Sequence, residues 1–264
     1  MRSWRGEQPG VLYVHATGFS KELWAPVVDA LSRKGAAPAG WAIDQRGHGD
    51  SSMLATPMDW SDLSRDVAGV LESIVNTPVV GVGHSSGGAA LAMAAIEDPA
   101  AFEHLILIEP IIFPPPHQRI EDHPMSVAAE ARRSSFPDRK AAVEHFSGKG
   151  PFAGWAADAI AAYVDGALRD TGNGLVLKCS PQTEAEHYRS GSAHATWDHL
   201  DEIANPVTLI VGSQSTTHHG AYLAALTERF RDAEMRSIPN ASHLVPMERP
   251  DVVADAIEDA RSRG

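Results

Sequence analysis

Cysteine is nearly missing from this chain: Cys179 stands alone, so neither an internal disulfide nor a thiolate-rich metal site can form. No run of 18 apolar residues occurs either. The most hydrophobic stretch, LILIEPIIF, is interrupted by Glu109 and Pro110, which excludes a membrane-spanning helix there. Basic residues are scarce, 22 Lys and Arg against 34 Asp and Glu, and a net charge of −12 lacks the positive footprint of a nucleic-acid binder or an anionic-membrane binder. The opening MRSWRGEQPG carries two arginines, but VLYV meets His15 before any signal-peptide core can form. A reducing, cytoplasmic compartment is therefore expected, and the glycosylation-like NAS at 240–242 carries little weight. The expected partner is a small-molecule substrate, with no nucleic acid and no membrane; oligomeric state is not legible.

What is present is a rhythm. Six short apolar runs are bounded by turn residues: VLYVHA (11–16), GWAID (40–44), VVGVGH (79–84), HLILIEP (104–110), VTLIVG (207–212) and AEMRSIP (233–239). Helical patterns lie between most of them, including Leu23, Trp24, Val27, Val28 and Leu31, the nearly all-apolar GGAALAMAAI, and Val252, Val253, Ala256 and Ile257. Alternating strand and helix predicts an α/β fold, a mostly parallel sheet of about six strands with helices on both faces. GGAALAMAAI is expected to be the most buried helix. Residues 112–205 show helical patterns and no convincing strand, and the stiff FPPPH opens the segment. They are expected to form an inserted helical lid on a core made of residues 1–111 and 206–264. The lid stretch PFAGWAADAIAAY suggests an apolar pocket, although such a stripe packs a lid equally well.

The chemistry centres on VVGVGHSSGG. Gly83, Ser85 and Gly87 form G-x-S-x-G between an apolar strand and an apolar helix, a turn that holds its serine in a strained conformation beside glycine-sized neighbours. The dinucleotide pattern fails because Ser86 stands where a third glycine is needed, and no Lys follows to make a P-loop. No cofactor and no metal are expected. A serine hydroxyl needs a base. Among 13 histidines, His243 in IPNASHLVPMERP follows the last strand and precedes the last helix. The pair His218 and His219 has no acid near it in sequence and is expected to be a polar loop.

HATGF after the first strand, DQRGHGDS after the second, GHSSG, the helical insertion and NASHLVPMERPDVV occur in an order that resembles the α/β-hydrolase superfamily over nearly the whole chain. The resemblance implies a nucleophile elbow at Ser85 with His243 as base. It also implies an oxyanion hole from the amides of Ser86 and Thr17, the latter in a loop where Ala16 replaces the usual glycine. Asp44, Arg46 and His48 then read as braces. Two features depart from the pattern. The usual acid follows the strand VTLIVG, yet SQSTTHHGAYLAALT contains no Asp or Glu; Glu109, at the end of LILIE, is the carboxylate available, as in some haloalkane dehalogenases and zearalenone lactonases. Burying it unpaired would cost several kcal/mol, so it needs His243 or, alternatively, a lid arginine such as Arg132 or Arg133. The family also commonly begins with two further strands, which predicts a sheet trimmed to six or a late start. The implied activity is a serine hydrolase cleaving an ester or lactone of a small apolar substrate. The alternatives are a carbon–carbon bond hydrolase or lyase on the same triad, and a ligand-binding protein with a vestigial triad. Serine at the elbow removes the aspartate-dependent haloalkane dehalogenase and epoxide hydrolase chemistries.

Overall fold

In the parallel strands, side chains alternate between two buried faces, and that alternation sorts the helices. The computed structural model describes residues 1–35, 38–52, 56–74, 77–148 and 150–263. In chain order the core begins with β1 (Arg2–Trp4), β2 (Glu7–Val14), α1 (Ala25–Arg33), β3 (Pro38–Ile43), α2 (Ser61–Ile74), β4 (Val79–His84), α3 (Ser86–Glu97) and β5 (Phe102–Ile108). Then follow α4 (Pro124–Ala131), β6 (Ser135–Phe136), α5 (Arg139–Phe146), α6 (Ala157–Ala167), β7 (Leu168–Asp170), β8 (Leu175–Leu177) and α7 (Pro181–Ser190). The chain closes with β9 (Val207–Gly212), α8 (Gly220–Arg229), β10 (Ala233–Ile238), α9 (Val245–Glu248) and α10 (Pro250–Ser262).

Seven strands form one sheet in the order β1-β3-β2-β4-β5-β9-β10, all parallel except β1. Val11, Tyr13, Val82, Ile106, Ile108 and Ile210 point to the face covered by α1 and α10. Leu12, Val14, Leu105, Leu107, Leu209 and Val211 point to the face covered by α2, α3 and α8. Each such side chain, removed from water, stabilises the fold by roughly 1.5–3 kcal/mol. As expected, the helix after Ser85 is the most enclosed: residues 86–95 of α3 are all buried, and small Ala and Gly side chains let it lie close on the sheet.

Two expectations change, and one of two open alternatives is met. The sheet has seven strands, because Arg2–Trp4 pairs antiparallel with β3 and Trp4 packs edge-on against Tyr13, centroids 6.0 Å apart. Three residues are too few to show a periodicity. Residues 112–205 contain strands after all, a small antiparallel sheet in the order β6-β8-β7. The aromatic stripe leading into and along α6 is used in packing: Trp155, Ile160, Tyr163 and Val164 join Phe136 and Phe146 and reach Leu23, Leu244 and Met247 of the core loops. No helix among the described residues is long and apolar enough to cross a membrane.

From β2 the chain moves to β3 on one side, then crosses back to β4 on the other. The C-terminal ends of β2 and β4 therefore flank a topological switch point, where open α/β sheets place ligands.

Candidate active site

Ser85 follows β4 directly and precedes α3, with φ +56° and ψ −114°. That left-handed backbone is worth on the order of 1–3 kcal/mol of strain for a residue with a Cβ, and it persists only where the surroundings impose it. Here they do. Ser85 N donates to Ile108 O (2.9 Å), and Ser85 O accepts from Ile111 N and Ala89 N (both 3.2 Å). A Cβ on Gly83 would lie 2.5 Å from Gly87 O, and one on Gly87 would strike the carbonyls of Val14 and His15. The spacing G-x-S-x-G is thus the spacing of two backbone crossings, and the side chain of Ser85 is left 7% exposed at the switch point.

Glu109 follows β5 directly, also with positive φ (+48°), and is fully buried. Its Oε1 accepts from Gly212 N (2.9 Å); its Oε2 accepts from Ser215 Oγ (2.7 Å) and His243 Nδ1 (2.9 Å). Burial opposes the charge, but the contacts from His218 and His243 outweigh it and hold the carboxyl down at about 2. Arg132 and Arg133 are not its partners. Arg132 binds Glu184 and Tyr163 Oη, and Arg133 Nε donates to Ser135 O.

His243 sits in the loop after β10. Ser242 anchors that loop on Glu248 through N (2.8 Å to Oε2) and Oγ (2.6 Å to Oε1). His84, whose ring burial holds down at about 3, donates from Nε2 to His243 O (2.9 Å) and so ties this loop to the residue before the elbow. With Nδ1 bound to Glu109, the nitrogen left to His243 is Nε2. Among the described residues Ser85 Oγ and His243 Nε2 make no hydrogen bond with each other.

The loop carrying Thr17 is cross-braced by DQRGHGDS. Gly18 N donates to His48 Nε2 (2.8 Å), and His48 Nδ1 donates to Arg46 O (3.1 Å). Asp44 takes Lys21 N (2.9 Å) and Lys21 Nζ (2.6 Å), while Arg46 pairs with both oxygens of Asp66 at 2.8 Å. Gln45, which the motif reading passed over, donates from Nε2 to Ser86 Oγ (3.0 Å) and joins this loop to the elbow. As the first residue of α3, Ser86 has an amide without an intrahelical acceptor, and the helix dipole points its positive end there.

His218 departs most from expectation. It is buried, not in a polar surface loop: Nε2 donates to Pro110 O (2.9 Å), and Nδ1 lies 2.9 Å from Glu109 Oε2, off the line of a good hydrogen bond. Its neighbour His219 is exposed. Sequence distance misled, because the acid facing His218 comes from a different strand. Glu109, His218 and His243 bring ligand-type atoms within 4.8 Å of one another. Their N···O separations of 2.9 Å suit shared protons; ligands about 2.0 Å from a tetrahedral ion would stand roughly 3.3 Å apart.

The model of the Alpha/beta hydrolase family matches residues 11–256. The chain belongs to that family. A 2-(acetamidomethylene)succinate hydrolase of Mesorhizobium japonicum is 25% identical over 253 residues, covering 96% of this alpha/beta hydrolase and 88% of the relative. The solved structure of an E-2-(acetamidomethylene)succinate hydrolase superposes with a TM-score of 0.81 at 24% identity, over 99% and 94% of the two chains. An enol-lactonase from Burkholderia xenovorans LB400 superposes with a TM-score of 0.73 at 20% identity, over 99% and 95%.

Proposed function

We propose that this alpha/beta hydrolase is a serine hydrolase acting on a carboxylic ester or lactone of a small substrate, with Ser85, His243 and Glu109 as its triad. One observation carries the reading: a serine strained at φ +56° shares the C-terminal edge of the sheet with a histidine whose Nδ1 is held 2.9 Å from a fully buried carboxylate. Nδ1–H bonded to Glu109 leaves Nε2 as the acceptor for the proton of Ser85 Oγ. The oxygen attacks the carbonyl carbon, and the amides of Thr17 and Ser86 receive the negative charge that develops on the carbonyl oxygen. Collapse expels the alcohol, which takes its proton from His243. Water, deprotonated by the same nitrogen, releases the acid and restores Ser85.

Residues 112–205 act in this reading as a lid over the strand ends. Their aromatic stripe is spent on packing, so it does not argue for an apolar substrate. A cavity among the core residues Phe19, Leu23, His84 and Met247 is only about 10 Å³, room for a single water. Lactones belong in the first screen because one structural neighbour is an enol-lactonase, a likeness that shows fold alone.

Intact mass after treatment with a fluorophosphonate tests the proposal. One adduct is expected on the wild type and none on Ser85→Ala. No adduct on the folded wild type, with a smaller reagent also failing, would overturn it and favour a ligand-binding role.

A further inference from the structure

The loop after β9 holds no carboxylate, yet it is built around one. Ser215 Oγ donates to Glu109 Oε2 and at the same time accepts from Thr217 N (3.2 Å) and His218 N (2.9 Å). The turn so formed delivers the ring of His218 to the same oxygen that receives His243.

The surroundings of that ring fix its protons. Nε2 faces Pro110 O at 2.9 Å and Tyr222 Oη at 3.4 Å, and Tyr222 spends its own proton on Ile112 O (2.9 Å). Nδ1 faces a carboxylate oxygen. A ring protonated only on Nε2 would leave an unprotonated nitrogen 2.9 Å from an anion; one protonated only on Nδ1 would aim a lone pair at a peptide carbonyl. The doubly protonated ring donates to Pro110 O and sets its positive charge against the carboxylate as a close ion pair rather than a straight hydrogen bond. The groups facing it are Glu109 after β5, His243 after β10 and Tyr222 on α8; beyond His243 lies His84, which burial keeps neutral.

We infer that His218 is a positioning residue of this site, a buried imidazolium that neutralises Glu109 in the resting enzyme and thereby restrains His243 from binding a proton. The inference rests on the assignment of Glu109 and His243 as acid and base. With ring centroids 6.2 Å apart, a fixed positive charge on His218 disfavours a second one on His243. His243 therefore stays in its unprotonated, working form to lower pH than Glu109 alone would allow.

The test is the rate of fluorophosphonate labelling of Ser85 against pH in wild type and His218→Gln. The variant is expected to keep its plateau within about tenfold, while the pH below which labelling falls off moves up by one unit or more. A folded variant whose fall-off stays in place overturns the inference, since a role in packing alone changes the plateau and not the limb. If the variant does not fold, or if neither protein labels and the serine-hydrolase reading itself fails, side-chain ¹⁵N spectra of the wild type decide. Two ring N–H groups on His218 at pH 7–8 support the inference, and a single one overturns it.

Discussion

Gly87 lies so close beneath the loop after β2 that a Cβ built on it would stand 2.6 Å from the carbonyl oxygen of His15. The neighbour is backbone, so it cannot swing aside. Gly87→Ala must push α3 away from β2 or drag the Thr17 loop with it, and either movement separates the two amides assigned to the oxyanion. The expected result is a loss of stability on the order of 3 kcal/mol or more, read in a urea titration, with Ser85 labelling lost even in molecules that remain folded. Retention of both would mean that the crossing is looser than its geometry indicates.

Glu109→Gln keeps the shape of the acid and removes its charge. Turnover of an activated ester, or the Ser85 labelling rate, is expected to fall roughly 10²- to 10⁴-fold while circular dichroism is unchanged. Near-normal reactivity in that variant would remove Glu109 from the triad.

Acid should unfold this protein through groups whose folded and unfolded proton affinities differ. Glu109 is held at about 2 against an ordinary 4.5, so its contribution, up to roughly 3 kcal/mol, is present above pH 4.5 and lost as pH falls toward 2. His187 on α7 is fully buried with its ring edge-on to His48, centroids 4.6 Å apart, and burial holds it at about 3. Its neutral form favours the folded state fully above pH 6.5, and that advantage, on the order of 4 kcal/mol, drains away as pH drops from 6.5 toward 3. His187→Leu replaces a buried polar ring with an apolar side chain. The variant should match or exceed the wild-type Tm at pH 7 and lose less of it between pH 7 and pH 4, measured by calorimetry.

The sequence made the sheet readable wherever a strand is buried on both faces, because VLYV, LILI and VTLIV must then be apolar throughout. It hid RSW at the edge and the two- and three-residue strands of the insertion, which are too short to carry a pattern. Glu109 was legible as an exception, a charge ending an apolar run that needed a partner. His218 was not, since its partner is reached only through the pairing of β5 with β9. Gln45 and Ser215 carry no motif of their own; their importance comes from where a backbone turn happens to aim an amide or a hydroxyl.

The three residues of β1 matter beyond their size. By pairing antiparallel with β3 they occupy the row of peptide groups that would otherwise offer one side of the sheet as a template for another molecule's strand. On the opposite side, β10 has no strand beyond it among the described residues, but there Arg236 pairs with Glu234 (2.9 Å) and Asp259 (2.8 Å), and Arg263 with Glu234 (2.8 Å). An incoming strand would have to bury those charges. One flank ends in a strand of only three residues and the other carries paired charges, and both features disfavour the addition of another molecule's strand.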